Sequence, residues 1–95
     1  MNYEALGRYT VAKRNALESH ANRNKALFDL KRWVDSASGN NTNELVIIDT
    51  HIGAGLLTKV AIYDDAFNAA VIEANAVHDA ASEPRLNARV SLFTR

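Results

Sequence analysis

The sequence predicts an α+β domain of order α-β-β-α-β, a three-stranded sheet with both helices on one face, and three observations predict it. Residues 45 to 63 pair with themselves about Gly53-Ala54-Gly55 as a β-hairpin, alanine-rich stretches on either side read as helices, and residues 85 to 92 alternate apolar with polar. An all-α antiparallel helical hairpin is the competing architecture.

The first helix is read over residues 3 to 37, which contain no proline, a single glycine at Gly7, and much Ala, Leu, Lys and Arg. These residues favour helix, and Glu4 with Arg8 and Asp29 with Arg32 add side-chain pairs at helical spacing. Its apolar residues form two groups, Leu6, Tyr9, Val11, Ala16 and Leu17, then Leu27, Phe28, Leu30, Trp33 and Val34. Between them, from Glu18 to Lys25, only Ala21 is apolar. A helix with so little to bury in its middle turns is expected to break or to project, so residues 1–25 are read as an arm that docks on another subunit. Gly39 then stands where a helix ends in a left-handed residue.

In the hairpin, Ile52 faces Leu56, Thr50 faces Thr58, Ile48 faces Val60 and Val46 faces Ile62. On the other side His51 faces Leu57, Asp49 faces Lys59, Ile47 faces Ala61 and Leu45 faces Tyr63. Such cross-strand β-branched and opposite-charge pairs stabilise sheets, and a three-residue loop ending in glycine suits a tight turn. Asp64 and Asp65 are read as the start of the second helix, capping its free amides. Phe67, Ala70, Val71, Ala74, Val77 and Ala81 form its apolar stripe, and Pro84 ends it. Leu86, Ala88, Val90 and Leu92 then alternate with Arg85, Asn87, Arg89 and Ser91, the period of a half-buried strand. That strand is placed beside the first, in the order 2-1-3.

The all-helical alternative rests on a different spacing in the same residues. Leu45, Ile48, Ile52, Leu56, Val60, Tyr63, Phe67, Ala70, Ala74, Val77 and Ala81 recur every three or four positions. On this reading residues 43 to 82 are one helix, antiparallel to the first. The Val46 to Ile52 run and two nearby glycines are poor helix formers, so the hairpin is preferred.

At 95 residues the chain is one small domain, residues 1–95, with a thin stability margin. It has no cysteine, which excludes disulfides, a thiolate nucleophile and cysteine-rich zinc sites. It shows no signal-peptide core and no apolar run near the ~20 residues of a membrane span, so a soluble, cytoplasmic protein is expected. Net charge is zero but segregated. Residues 1–38 hold seven basic against four acidic groups, residues 39–83 one against seven, and the last twelve residues three arginines.

Candidate sites are weak in chemical specificity. The sheet face away from the helices would display His51, Lys59 and Tyr63, with Arg85, Arg89 and Arg95 along the last strand. An open sheet bearing cations and an aromatic can stack single-stranded nucleic acid. Asp49 and His51 share a strand face, but catalysis would need a nucleophile or metal that no spacing supplies. His20, His51 and His78 lie on three separate elements and make no zinc set. Gly53 to Lys59 lacks the phosphate-loop pattern. No cofactor, catalytic residue or metal ligand is assigned.

The expectation is a small non-enzymatic protein that forms a homodimer and binds another protein, an accessory or regulatory factor of the kind phages and mobile elements carry. Tyr3, Leu6, Tyr9, Phe28 and Trp33 are the expected contact residues, because aromatic side chains carry much of interface energy. Nucleic-acid binding through the sheet face and the arginine-containing final strand is the alternative function.

Overall fold

The computed structural model describes residues 2–39 and 45–89, and places in them two helices, α1 (Tyr3–Ala37) and α2 (Thr50–Val77). They pack antiparallel into a hairpin measuring 63 × 23 × 17 Å. This corrects the α+β expectation: no strand forms among the described residues, and the architecture is the helical alternative. The paired residues expected around Gly53 and Gly55 lie instead on the first turns of α2 or in the non-helical stretch leading to it. Asp64 and Asp65 sit in mid-helix rather than at its start. Residues 83–89 run without secondary structure, and the rest of the expected third strand, 90–95, lies outside the described residues. Residues 40–44 lie outside them too.

Local chemistry explains where each helix begins. The Asn2 side chain accepts a hydrogen bond from the Ala5 amide at 3.0 Å, and Glu4 follows in the first turn, both favourable at a helix N-terminus. At the other end Ser38 is the C-cap and Gly39 takes φ 77°, the left-handed residue that releases the chain. The Asp49 carboxylate accepts from the His51 amide at 2.9 Å and so starts α2 fifteen residues earlier than Asp64 would. Beyond Val77, Ser82 donates to Asp79 and Glu83 to His78, at 3.0 and 2.9 Å, with Ser82 at φ 57°. This is a Schellman turn with serine in the position that suits glycine.

The seam between the helices is made of alanine. Of the ten buried hydrophobic residues among those described, seven are alanines, namely Ala5, Ala12, Ala16, Ala26, Ala70, Ala74 and Ala81, joined by Tyr9, Val71 and Val77. The α1 seam runs Ala5, Tyr9, Ala12, Ala16, Ser19, Arg23, Ala26, Leu30, Trp33, Ala37, with steps alternating four and three. On α2 the seam is Gly53, Leu56, Val60, Tyr63, Phe67, Ala70, Ala74, Val77, Ala81, with the same alternation. This is the heptad period of a two-stranded coiled coil. Residues 5 to 16, expected to project, lie packed along residues 70 to 81.

At the loop end the seam closes on a glycine. A Cβ on Gly53 would stand 2.5, 2.7 and 2.8 Å from three atoms of the Trp33 ring, whereas Gly55 and Gly7 face open space. Gly55→Ala is therefore expected to raise stability by about 0.5–1 kcal/mol, the usual gain from replacing an exposed helical glycine. Gly53→Ala carries the same propensity gain but must displace the indole, so no stabilisation results and the emission of the single tryptophan shifts. Urea unfolding followed by circular dichroism, with fluorescence on the same samples, checks both.

Candidate interaction surface

Three surfaces are available for function: one face covered by the chain's own C-terminal segment, the opposite face, and the tip of the hairpin.

The C-terminal segment doubles back along the hairpin after the Schellman turn. The Tyr9 hydroxyl donates to the Pro84 carbonyl at 2.8 Å. Asn75 grips the Leu86 backbone from both sides, its amide donating to the carbonyl at 3.0 Å and its oxygen accepting from the N–H at 2.7 Å. His78 Nδ1 lies 3.2 Å from the Glu83 carbonyl. Leu86 packs against both buried clusters, so the segment acts as a strap. Removing the clamp with Asn75→Ala is expected to cost roughly 0.5–1.5 kcal/mol per hydrogen bond and to speed tryptic cleavage after Arg85 several-fold, read by mass spectrometry of timed digests.

Beside the strap lies a polar break in the seam. Arg23 donates to Asp64 at 2.9 Å and lies over the Phe67 ring at 5.3 Å, while His20 tilts against the same ring at 5.2 Å. The guanidinium Nε is buried without a hydrogen-bond partner. An ion pair within an otherwise apolar seam fixes the register of the two helices. On the opposite face an open groove of about 890 Å³ runs between the helices, lined by Val11, Ala12 and Asn15 of α1 and Ile62, Ala66 and Ala69 of α2. Arg8 and Glu73 bridge it at one end, 2.6 Å apart.

The tip carries the apolar surface. Among the described residues fourteen large hydrophobic side chains are exposed, and nine of them fall between Leu27 and Leu57. In the stretch entering α2, Leu45 and Ile47 are 101% and 99% exposed, and Val46 and Ile48 41% and 45%. Neither buried cluster reaches this end.

The expected contact residues divide. Tyr9 is 2% exposed and belongs to the intramolecular core, with Leu6 packed beside it. Trp33 is half-buried on Gly53. Tyr3 and Phe28 are free, at opposite ends of α1. The residues expected on a nucleic-acid face do not share one. His51, Lys59 and Tyr63 spread over about 18 Å of α2, Arg85 and Arg89 lie on the strap, and Arg95 is outside the described residues. Asp49 and His51 are joined as a helix cap, carboxylate to backbone amide, rather than carboxylate to imidazole. Among the described residues no three His, Cys, Asp or Glu side chains are grouped to hold a metal, and no helix is long and apolar enough to cross a membrane.

What the sequence reading missed was the alanine seam of α1 and the exposure of the large side chains. The signal was present in the strict four-three spacing, but it becomes visible only when Ala, Ser19 and Arg23 are allowed into the stripe. Comparison with protein-family models, with curated proteins and with solved structures gives no match.

Proposed function

We propose that this chain is a non-enzymatic interaction module of the cytoplasm, a helical hairpin that works as a homodimer and presents its surface to another protein as an accessory or regulatory factor. One observation carries the reading: small residues are buried and large apolar ones are exposed. A side chain such as Leu or Ile gives about 1.5–3 kcal/mol when fully buried, and fourteen such large apolar residues remain available for an intermolecular contact. The size of the surface supports the same reading. A compact monomer of 10.4 kDa exposes about 5,400 Å², whereas this chain exposes 7481 Å². Its radius of gyration is 18.2 Å, against about 12 Å for a compact chain of this length. An obligate homodimer buries 1,000 Å² or more per partner, roughly, and the excess is of that size.

Light scattering coupled to size exclusion tests the reading. The expected result is a dimer whose mass is unchanged between low and high salt, since apolar contacts are little screened. A helical monomer at micromolar concentration overturns it. A chain that retains nucleic acid through purification and releases it steeply with salt overturns it also.

A further inference from the structure

We infer that two copies join head to head, tip against tip, through the open-groove face, with the two-fold axis parallel to the helices. The inference rests on the homodimer reading and specifies its geometry.

The starting point is where the uncovered apolar surface lies. At the tip it runs from Phe28 and Val34 on α1 through Leu45 and Ile47 to Ile52 and Leu57 on α2. Contiguous exposed apolar surface of this kind marks an interaction site. The opposite end has its own core, formed by Ala5, Tyr9, Ala12, Ala74, Val77 and Ala81. One face of the hairpin is already occupied by the strap, so the face that remains is the groove between Val11 and Ile62.

Two symmetric arrangements place that face against itself. An axis perpendicular to the helices, through the groove, sends the tips to opposite ends and sets α1 against α1. The groove is centred toward the termini, so both tips would then overhang and stay wet. An axis parallel to the helices keeps the tips together and sets each α1 against the partner's α2. The exposed tip selects the second arrangement, since only there do Leu45, Ile47 and their neighbours on the two copies cover one another. A chain of zero net charge adds no repulsion between copies. The excess surface of about 2,000 Å² over a compact monomer matches what each partner of an obligate dimer covers. A lipid surface fits the tip less well. From Lys25 to Lys59 the chain carries four basic and four acidic groups, without the basic excess that draws a protein to anionic membranes.

The chain has no cysteine, so single labels can be placed cleanly. Spin labels on Ile47→Cys, and separately on Ser36→Cys, are read by pulsed dipolar spectroscopy on samples whose mass is measured by light scattering. The expected result is a dimer with label-to-label distances below about 30 Å, since packed helices lie 8–10 Å apart, roughly. A dimer with distances of about 50 Å or more, twice the rise from Ala66 to the start of α2, overturns the head-to-head geometry and leaves the homodimer reading standing. A monomer overturns both. Cosedimentation of the unlabelled chain with vesicles of neutral or anionic phosphatidyl lipid, in place of dimerisation, assigns the tip to a membrane and overturns the proposal.

Discussion

Ala74→Leu is expected to unfold most of this protein's stability margin. Ala74 is 0% exposed and lies in the cluster with Ala5, Tyr9 and Ala12. Leucine adds three carbons where the helices meet through methyl groups, so the helices must separate along the seam. Overpacking a well-filled core costs about 1–3 kcal/mol, and here each added ångström of separation also loosens neighbouring alanine contacts. A domain of this size holds on the order of 5 kcal/mol in total. The midpoint of thermal unfolding is expected to fall by about 10 °C or more, at 4–8 °C per kcal/mol, roughly. Ala21→Leu is the control: Ala21 is exposed on α1, and a substitution there stays within about 0.5 kcal/mol. Melting both variants by circular dichroism decides it. Equal midpoints would mean that the seam is loose enough to admit a large side chain, contrary to the buried alanines.

The same alanines explain which parts of the fold were legible in the sequence. The ends of α1 were readable, since helix-favouring residues continue to Ala37 and Gly39 supplies the stop. The second half of α2 was readable from Phe67, Ala70, Ala74 and Val77, although it ends at Val77, in a turn before Pro84 that the sequence did not announce. Its first half was not. Val46, Ile47, Ile48 and Ile52 prefer extended chain, and Gly53 and Gly55 weaken helix. These local preferences hold only as far as Asp49. After that residue tertiary packing prevails, because Gly53 leaves room for Trp33 and Leu56, Val60 and Tyr63 extend the seam along α1. Residues 45–49 carry no helix, and Asp49 keeps an extended backbone.

The first half of α1 was misread for a related reason. The sequence groups Leu6, Tyr9, Val11, Ala16 and Leu17 as one apolar stretch of a docking arm, and the polar run from Glu18 to Lys25 as a gap. In the structure Val11 and Leu17 are 46% and 62% exposed while Ala12 and Ala16 are buried, and Arg23 crosses the gap by pairing with Asp64. Period rather than size marks the seam here: the four-three steps through Ala5, Tyr9, Ala12 and Ala16 fall on the buried side, and Val11 and Leu17 fall off it.

Tyr9 provides the second large effect and separates packing from strapping. Among the described residues it is the one aromatic in the buried hydrophobic set, at 2% exposure, and its hydroxyl donates to Pro84. Tyr9→Ala is expected to cost about 3–5 kcal/mol, the range for removing a buried aromatic ring, and to leave the chain largely unfolded at 37 °C. Tyr9→Phe keeps the ring and removes only the bond to the strap, so about 0.5–1.5 kcal/mol is lost. Helix content is then retained, but tryptic cleavage after Arg85 and Arg89 quickens, as it does in Asn75→Ala. Because Tyr9 and Asn75 hold the same segment at Pro84 and Leu86, combining Tyr9→Phe with Asn75→Ala is expected to cost less than the two single losses added together. A strap already released by one substitution has little left to lose from the other. Strict additivity in a urea double-mutant cycle would show instead that the two contacts act independently, and Leu86 alone would then have to hold the segment on the hairpin.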